Sequence, residues 1–222
     1  SLPTASGQGS ATPATQSAPS APVSTASGSQ QFIARVLSRR VVARDVVEIT
    51  FGPIDDAVEL EWEPGAHITV HLGNGLERQY SLVGDPADAR ALTIAVLDTG
   101  GPGGGSQWIH KNLTVGMELS LEGPLQAFPL KAHHRYQFIA SGIGITPIRS
   151  MLGSLPANRD WELIYLGRTR EEMAYVDELE ATYPDRVRVW ASQERGKRAN
   201  LAKLVDTTAH VYACGSEALL SD

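Results

Sequence analysis

The chain of 222 residues contains a single cysteine, Cys214, and this scarcity limits its chemistry. One thiol cannot form an intrachain disulfide or supply the four ligands of an all-cysteine iron–sulfur cluster. The default compartment is therefore the reducing cytoplasm. No apolar stretch approaches the ~20 residues of a membrane span, and the amino terminus lacks the basic and apolar layout of a secretory signal. We expect neither a membrane partner nor export.

Long basic runs are also missing. The formal net charge is -6, which argues against nucleic acid as the main partner. The first 30 positions hold no charged side chain and consist almost wholly of Ser, Ala, Pro, Thr and Gly. Such a segment buries too little apolar surface to offset its ordering entropy. Residues 1–30 are therefore predicted to be a flexible linker to something upstream.

Residues 31–132 carry short strand-like runs separated by turn residues, a pattern typical of an antiparallel barrel or sandwich. In one run, apolar Ile68 and Val70 alternate with His67 and His71, so the two histidines would share one face of a strand. Two histidines could begin a metal site, but no third ligand is evident. The pattern favours a solvent-facing role, and no metal ligand is predicted.

The stretch Arg78-Gln79-Tyr80-Ser81 combines side chains that suit phosphate and aromatic groups. In a strand, Arg78 and Tyr80 point to one face, and Gln79 and Ser81 point to the other. Arginine binds phosphate through its planar fork of donors, and tyrosine packs against rings. A ligand with a ring and a phosphate would fit beside them, although an exposed strand with one ion pair explains the stretch equally well.

A glycine-rich loop at residues 99–106 precedes a helix-like segment at residues 107–113. Successive backbone N–H groups in such a loop can form an anion site, and Ser106 is predicted to cap the helix. No Gly-Lys-Ser or Gly-Lys-Thr follows, so nucleotide hydrolysis is not expected. A merely flexible loop is the alternative.

Residues 138–147 join an apolar strand to a helix start through Gly142 and Gly144. Thr146 is predicted to be the N-cap and Pro147 the first helical residue. A helix start beside glycines is an anion site, but proline replaces the third glycine of the usual dinucleotide fingerprint. From this stretch alone, a plain strand-to-helix turn stays equally open.

The remaining sequence alternates strands and helices, which indicates a parallel sheet. Strands are predicted at residues 163–166, 187–190 and 210–214, and a helix at 171–181 that begins with a Thr169-x-x-Glu172 capping box. Ligands of such sheets bind at the carboxyl ends of the strands. The Gly142 turn would meet three other segments there, at residues 167–170, 192–195 and 214–216.

Four motifs in this order resemble the ferredoxin–NADP reductase superfamily over residues 31–222, above all its phthalate dioxygenase reductase type. The motifs are Arg78-x-Tyr80-Ser81, Gly104-Gly105-Ser106, Gly142-Ile143-Gly144-Ile145-Thr146-Pro147 and Tyr212-x-Cys214-Gly215. This type also occurs fused behind a cytochrome P-450 haem domain in self-sufficient monooxygenases. The resemblance implies an antiparallel flavin-binding β-barrel at residues 31–132. A Rossmann-like parallel α/β domain that binds NAD(P)H would follow at 133–222, truncated at its carboxyl end.

The resemblance also implies roles for residues of the barrel. Arg78 and the turn Gly104-Gly105-Ser106 would hold the phosphate of FMN. Gln79, Tyr80 and Ser81 would line the flavin, with Ser81 near its N5, and the strand Ile94-Ala95-Val96 would pass its backbone along the ring. The short glycine loop resembles the FMN-binding branch of the superfamily rather than the FAD-binding branch.

On the nucleotide side, the resemblance implies that Gly142, Gly144, Thr146 and Pro147 face the dinucleotide. Cys214, Gly215 and Ser216 would approach the nicotinamide, although relatives commonly have proline where this chain has Ser216. Cys214 would be a contact residue rather than a nucleophile. Arginines suit a 2′-phosphate and favour NADPH over NADH. The residues assigned to that region are Arg168, Arg170, Ser192 and Arg195.

The activity that the resemblance implies is transfer of a nicotinamide hydride to flavin N5, after which electrons leave singly for a [2Fe-2S] centre. The domain of that cluster is expected beyond residue 222. An oxygenase or haem domain, a monooxygenase or a Rieske oxygenase, would receive the electrons, in the same polypeptide or as a separate protein. Two alternatives stay open: an FAD-dependent reductase for ferredoxin or a globin, and a non-catalytic docking module with the same fold.

Overall fold

The computed structural model describes residues 30–215, which form two sheets. The first sheet has six antiparallel strands in the order β4-β3-β6-β1-β2-β5. Their bounds are β1 (Gln31–Ala43), β2 (Val46–Pro53), β3 (Ala66–His71), β4 (Glu77–Ser81), β5 (Leu92–Leu97) and β6 (Glu118–Gln126). The linker predicted at residues 1–30 lies, apart from residue 30, outside the described residues.

The six-stranded sheet curls into a barrel. Leu82, just after β4, forms an antiparallel bridge with Ile94 in β5, the strand at the other end of the sheet. Beside it, Val83 N–H donates to Thr93 O at 2.9 Å. Helix α1 (Gly105–Asn112) packs Ile109 into the barrel core. The predicted antiparallel barrel is confirmed.

The second sheet has four parallel strands in the order β10-β7-β8-β9. Its elements are β7 (Arg135–Ser141), α2 (Ile145–Ser154), β8 (Asp160–Gly167), α3 (Val176–Thr182), β9 (Val187–Ala191), α4 (Ser192–Arg195), α5 (Leu201–Leu204) and β10 (His210–Cys214). The predicted parallel α/β unit is confirmed, and β10 has the bounds that the sequence predicted. None of the helices within residues 30–215 is long and apolar enough to cross a membrane.

The two sheets share one buried apolar cluster. Barrel residues Val46, Val83 and Ala95 lie in the same cluster as Phe138 of β7 and Ile148 of α2. Burial of apolar surface is the main force that holds such packed layers together. The parallel sheet is therefore packed against the barrel, with β5 at the boundary between them.

Two predicted helix starts are wrong by two residues each. Helix α2 begins at Ile145 with Gly144 as its N-cap, so Thr146 is its second residue and Pro147 its third. The chain already forms a 3-10 turn at Gly142–Gly144, so helix α2 begins closer to the amino terminus than predicted. Helix α1 likewise begins directly after its Gly104 N-cap, and Ser106 is not the cap.

The capping box predicted at Thr169 and Glu172 does not form. Thr169 makes no side-chain cap hydrogen bond and precedes only a short 3-10 turn. Helix α3 starts later, at Val176, because Tyr175 has a left-handed backbone conformation with φ 63° that interrupts a right-handed helix. The apolar side chains of Met173, Val176 and Leu179 in this segment are nevertheless buried.

Candidate functional site

The residues predicted to bind phosphate meet at the start of helix α1. Gly105 is the first residue of that helix, and a Cβ atom added there would lie 2.5 Å from Arg78 Cγ and 2.8 Å from Arg78 Nε. A side chain here would push Arg78 aside, so glycine lets Arg78 of β4 lie against the helix start. The fold thus brings together two motifs that are distant in the sequence.

The amino end of α1 provides hydrogen-bond donors. The N–H groups of Gly105 to Gln107 form its first turn and have no acceptor within the helix, and the helix dipole makes this end positive. In the preceding loop, Gly100 N–H donates to Asp98 Oδ1 at 2.9 Å, and Gly103 N–H donates to Gln107 Oε1 at 3.2 Å. Because these loop donors are already bonded, the first helical turn suits an anion better than the loop itself.

The Ser106 side chain closes the glycine loop instead of capping the helix. Ser106 Oγ lies 3.1 Å from Thr99 Oγ1 and accepts a hydrogen bond from Thr99 N–H at 3.3 Å. The two ends of the loop are therefore joined, and both hydroxyl groups lie beside the helix start.

Helix α1 is also fixed at its other end, by residues that the sequence did not mark as functional. Arg39 in β1 donates from its guanidinium to the main-chain oxygens of Ile109, His110 and Leu113 at 2.7 to 3.1 Å. His110 Nε2 lies 2.8 Å from Val96 O in β5. Arg39 thus ties the helix to β1, and His110 ties it to β5, the strand that contains the predicted flavin-contacting residues. No local sequence pattern marks these bonds.

The barrel residues fit a phosphate ester with an attached ring, as in FMN. Arg78 is exposed and donates from Nη1 to Glu77 O at 2.7 Å. Tyr80 on the same face of β4 is half-buried, and burial raises the pKa of its phenol to about 12, so it stays neutral. On the other face, Gln79 is exposed, and half-buried Ser81 lies opposite His67 in β3. A cationic donor, a helix start and an aromatic side chain therefore lie on neighbouring elements.

The backbone of strand β5 is less open to a ligand than the resemblance implied. Ile94, Ala95 and Val96 are all buried. Ile94 and Val96 belong to the barrel core, whereas Ala95 belongs to the cluster shared with the parallel sheet. Since His110 already lies at Val96 O, the strand has only part of its outer edge left for a ligand.

The carboxyl ends of the parallel strands form the other half of the candidate site. The register pairs Cys214 with Ala140, Ser141 with Leu166 and Gly167 with Ala191. The segments that follow β7, β8, β9 and β10 therefore lie along one edge, as the sequence predicted. Gln193 N–H donates to Arg168 O at 2.9 Å and joins two of these segments directly.

Gly142 and Gly144 meet two different structural requirements. A Cβ atom at Gly144 would lie 2.3 Å from Cys214 O and 2.7 Å from Gly215 N, so the end of β10 packs directly on this turn. Gly142 has a positive φ of 53°, and nothing lies within 4 Å of a Cβ atom added there. One side of the turn is therefore packed against β10, and the other is open to a ligand.

The remaining residues predicted at this turn differ in exposure. Thr146 and Pro147 are buried inside helix α2, where they support the turn. Cys214 is half-buried, and burial raises the pKa of its thiol above the usual value, so it is uncharged at neutral pH. A neutral thiol suits a contact residue better than a nucleophile. Ser216 lies outside the described residues.

The arginines assigned to a 2′-phosphate are not equivalent. Arg168 is exposed and lies 3.9 Å from a Glu172 oxygen. Arg170 turns toward helix α3, where it pairs with Asp177 at 2.7 Å and Glu180 at 2.5 Å. The structure therefore does not bring Arg170 together with the other cationic groups at the sheet edge.

The remaining residues assigned to the 2′-phosphate lie in helix α4. Arg195 places its guanidinium 4.4 Å from the centre of the Trp190 ring. Ser192 is half-buried at the first position of the helix. Arg195 and Arg168 thus supply the positive charge that lies after β9 and β8.

The two half-sites adjoin each other. Strand β5 and the turn Gly142–Gly144 have Cα atoms within 8 Å of each other. Ala95 of β5 also lies in one apolar cluster with Ile145, the residue after the turn. The strand predicted to run along a flavin is therefore next to the turn predicted to receive a dinucleotide.

Metal-binding side chains do not converge in the described part of the chain. No group of three or more His, Cys, Asp or Glu within residues 30–215 could hold a metal ion. His71 instead pairs with Glu77 at 3.0 Å and lies 3.7 Å from a Glu122 oxygen.

Comparisons with known proteins agree with this architecture. Residues 138–222 match the oxidoreductase NAD-binding domain family. The chain is 36% identical over 187 residues to vanillate O-demethylase oxidoreductase from Pseudomonas sp. (strain HR199 / DSM 7063), covering 81% of this chain and 59% of that protein. It spans little more than half the length of the curated relatives that it matches.

Two solved structures have the same two-part fold. Phthalate dioxygenase reductase is described as a modular structure for electron transfer from pyridine nucleotides to [2Fe-2S]. It matches with a TM-score of 0.78 and 30% identity over 86% of this chain and 62% of that chain. An intact type IV self-sufficient cytochrome P450 monooxygenase matches with a TM-score of 0.80 and 38% identity over 86% of this chain and 25% of that chain. In its fold, its motif order and these matches, the chain resembles the ferredoxin–NADP reductase superfamily, and its residues 138–222 match the oxidoreductase NAD-binding domain.

Proposed function

We propose that this chain is the NAD(P)H-dependent flavin oxidoreductase part of an oxygenase system. In this proposal the barrel binds FMN, the parallel sheet binds the nicotinamide dinucleotide, and electrons continue to a [2Fe-2S] centre. The observation that carries the proposal is the closeness of strand β5 to the turn Gly142–Gly144. Hydride transfer needs two rings held in contact and in the right orientation, and adjoining half-sites support that arrangement.

FMN, when bound, supplies the ability to accept a hydride and to release electrons singly. The residues of the chain supply binding and alignment. Arg78 and the first turn of α1 would hold the phosphate, and Tyr80, Ser81 and the edge of β5 would line the ring system. We assign no general base, because this reaction depends on ring alignment rather than on proton transfer to a side chain.

NADPH is the proposed electron donor. The open side of Gly142, next to the end of β10 at Cys214 and Gly215, would receive the nicotinamide and the adjoining phosphates. Arg168 and Arg195 would pair with a 2′-phosphate, since both lie at the edge of the sheet where ligands of parallel sheets bind. Arg170 contributes less to this proposal because two carboxylates already neutralise it.

The proposed acceptor is a [2Fe-2S] ferredoxin domain that serves a haem monooxygenase or a Rieske oxygenase. Support comes from the relatives named above, which are a demethylase oxidoreductase, a dioxygenase reductase and a self-sufficient P450 monooxygenase. The acceptor could be part of the same polypeptide or a separate protein, and the electron-transfer role is the same in both cases.

Reconstitution tests this proposal directly. We expect the purified chain to bind FMN, identified by the mass of the extracted flavin, and to lose its visible flavin absorbance on anaerobic mixing with NADPH. The ratio of kcat/KM for NADPH and NADH would then establish the donor. A colourless protein that no flavin restores would contradict the proposal and favour the docking module. Extraction of FAD would favour the ferredoxin or globin type of reductase.

A further inference from the structure

Tyr175 lies between the two halves of the molecule in an unusual conformation. Its φ of 63° is in the left-handed region, which a bulky side chain rarely adopts. Its hydroxyl donates to Glu48 Oε2 in barrel strand β2 at 2.7 Å. Only 12% of the Glu48 side chain is exposed, and it also pairs with Arg40 at 3.0 Å. Because a strained backbone persists only where its surroundings hold it, this contact between the halves is a candidate for function.

Arg149 of helix α2 extends the same set of contacts. Its guanidinium carbon lies 4.3 Å from the centre of the Tyr175 ring, and Nη2 pairs with Glu178 at 2.8 Å. Nη1 donates to Val83 O at 2.6 Å. Val83 follows Ser81, the predicted flavin contact, by two residues, and Arg149 lies in the helix that follows the dinucleotide turn. One side chain therefore joins the segments that lead out of the two half-sites.

The boundary around these contacts is open. A cleft of about 350 Å³ is lined in part by Arg40, Tyr175 and Glu178. A second cleft, of about 230 Å³, is lined in part by Val83, Arg149 and Glu178. Tyr175 and Val83 belong to the apolar cluster that joins the halves, and the clefts leave the guanidinium of Arg149 at the edge of that cluster, where its polar contacts add to the packing.

We propose that Arg149, supported by Tyr175 and Glu48, is a positioning residue that sets the spacing between the nicotinamide and the flavin. This inference rests on the proposed function. A small shift between the halves would lengthen the path of the hydride, on which the rate depends steeply. In the proposed function, affinity for FMN depends on residues of the barrel, and affinity for NADPH depends on residues of the parallel sheet. Loss of the contacts is therefore expected to lower the limiting rate and to leave both binding constants nearly unchanged.

The test compares Arg149→Met with Arg90→Met in the FMN-loaded chain. Arg90 makes the same kinds of bonds, to Val58 O at 3.2 Å and to an Asp56 carboxylate oxygen at 2.9 Å, but within the barrel alone. At saturating NADPH, we expect about a tenfold lower rate of flavin reduction in R149M and no change in R90M. The Kd for FMN, the half-saturating NADPH concentration and reduction by dithionite are expected to stay the same in both. Arg149→Lys keeps a charged donor and is expected to restore part of the rate.

The outcomes separate this inference from the proposed function. Equal limiting rates in R149M and the unchanged chain would overturn the positioning role alone. A loss of FMN affinity as large as the loss of rate would give Arg149 a merely structural role and also overturn it. If NADPH does not reduce the unchanged chain, both proposals fail.

Tyr175→Phe keeps the ring beside Arg149 but removes the bond to Glu48, so we expect about a threefold lower rate of flavin reduction. An unchanged rate would exclude Tyr175 and Glu48 from the positioning role.

Discussion

The parallel sheet and the barrel build their half-sites in different ways. In the parallel sheet, the site consists of backbone at the strand ends, whose position follows from the strand order. In the barrel, the proposed phosphate site depends on one side chain, Arg78, that lies against the helix start at Gly105. The sheet half should therefore be sensitive to backbone crowding, and the barrel half to the loss of a single charge.

Crowding at Gly144 should have the largest effect. In Gly144→Ala the new Cβ atom would overlap Cys214 O, and neither backbone segment can move without separating β10 from the turn. We expect a loss of about 3 kcal/mol in unfolding free energy, as for overpacked cores. Flavin reduction by NADPH should fall about 100-fold, because the nicotinamide site is displaced. Urea unfolding and anaerobic mixing measure the two effects.

Gly153→Ala in helix α2, whose N-cap is Gly144, is the matched control for this crowding. Nothing lies within 4 Å of a Cβ atom at Gly153, so this variant should be as stable as the unchanged chain or more stable. Equal unfolding midpoints for G144A and G153A would show that β10 tolerates displacement. The sheet half would then not be more sensitive to backbone crowding than the barrel half.

The architecture of the sheet half could be predicted because periodicity and strand order determine it. Alternating strands and helices imply parallel pairing, and parallel pairing places the ends of β7 and β10 at one edge. The helix starts could not be predicted with the same accuracy. At Thr146 and Ser106 the chain offered a good cap, but the preceding glycines began the turn earlier. At Tyr175, contacts with the barrel stabilise a conformation that local preference disfavours.

Removal of the Arg78 guanidinium tests whether FMN binding by the barrel depends on this single charge. Hydrogen bonds to a charged group are worth about 1.5 to 3 kcal/mol, so Arg78→Ala should weaken FMN binding about 10- to 100-fold. Stability should change little, because the side chain is exposed. Fluorescence titration of FMN measures the affinity, with Arg90→Ala as the control. FMN affinity that is equal in both variants would remove Arg78 from the phosphate site.

The contacts that support the barrel site were beyond prediction from the sequence. Arg78 and Gly105 were matched only through the resemblance, since neither residue by itself specifies a partner. Arg39 and His110, which hold helix α1, act across the fold on main-chain oxygens that carry no sequence signal. The contact between Glu48 and Tyr175 likewise depends on how two independently patterned sheets pack together.

The arginines at the sheet edge allow a smaller test. Arg168→Gln should lower the ratio of kcat/KM for NADPH over NADH about fivefold, since an exposed charge–phosphate pair is lost. Arg170→Gln should leave the ratio unchanged within about twofold, because Asp177 and Glu180 already pair with this side chain. The reverse result would show that Arg170 leaves its carboxylates when the nucleotide binds.

The smallest effect is expected at the opposite, amino end of the parallel sheet. Asp206 accepts hydrogen bonds from the Thr208 hydroxyl and N–H at 2.6 and 2.8 Å and from Arg135 Nε at 2.8 Å. The Thr208 hydroxyl and then Arg135 lower the pKa of this carboxyl to about 2. The pKa of an aspartate in the unfolded chain is about 4. Between about pH 4 and pH 2, the unfolded chain therefore binds more protons than the folded chain. The stabilising contribution of Asp206 is therefore complete above about pH 5 and is lost as the pH falls through that window.

Asp206→Asn tests this pH dependence and its distance from the candidate site. The variant should be less stable than the unchanged chain at neutral pH, and the difference in thermal midpoint should shrink as the pH falls from about 4 to 2. The rate of flavin reduction at neutral pH should not change, because the proposed nucleotide site lies at the carboxyl ends of the strands rather than at their amino ends. A constant difference in midpoint would show that the Asp206 carboxyl has an ordinary pKa. A lower rate would show that the amino end of the sheet also influences the nucleotide half-site.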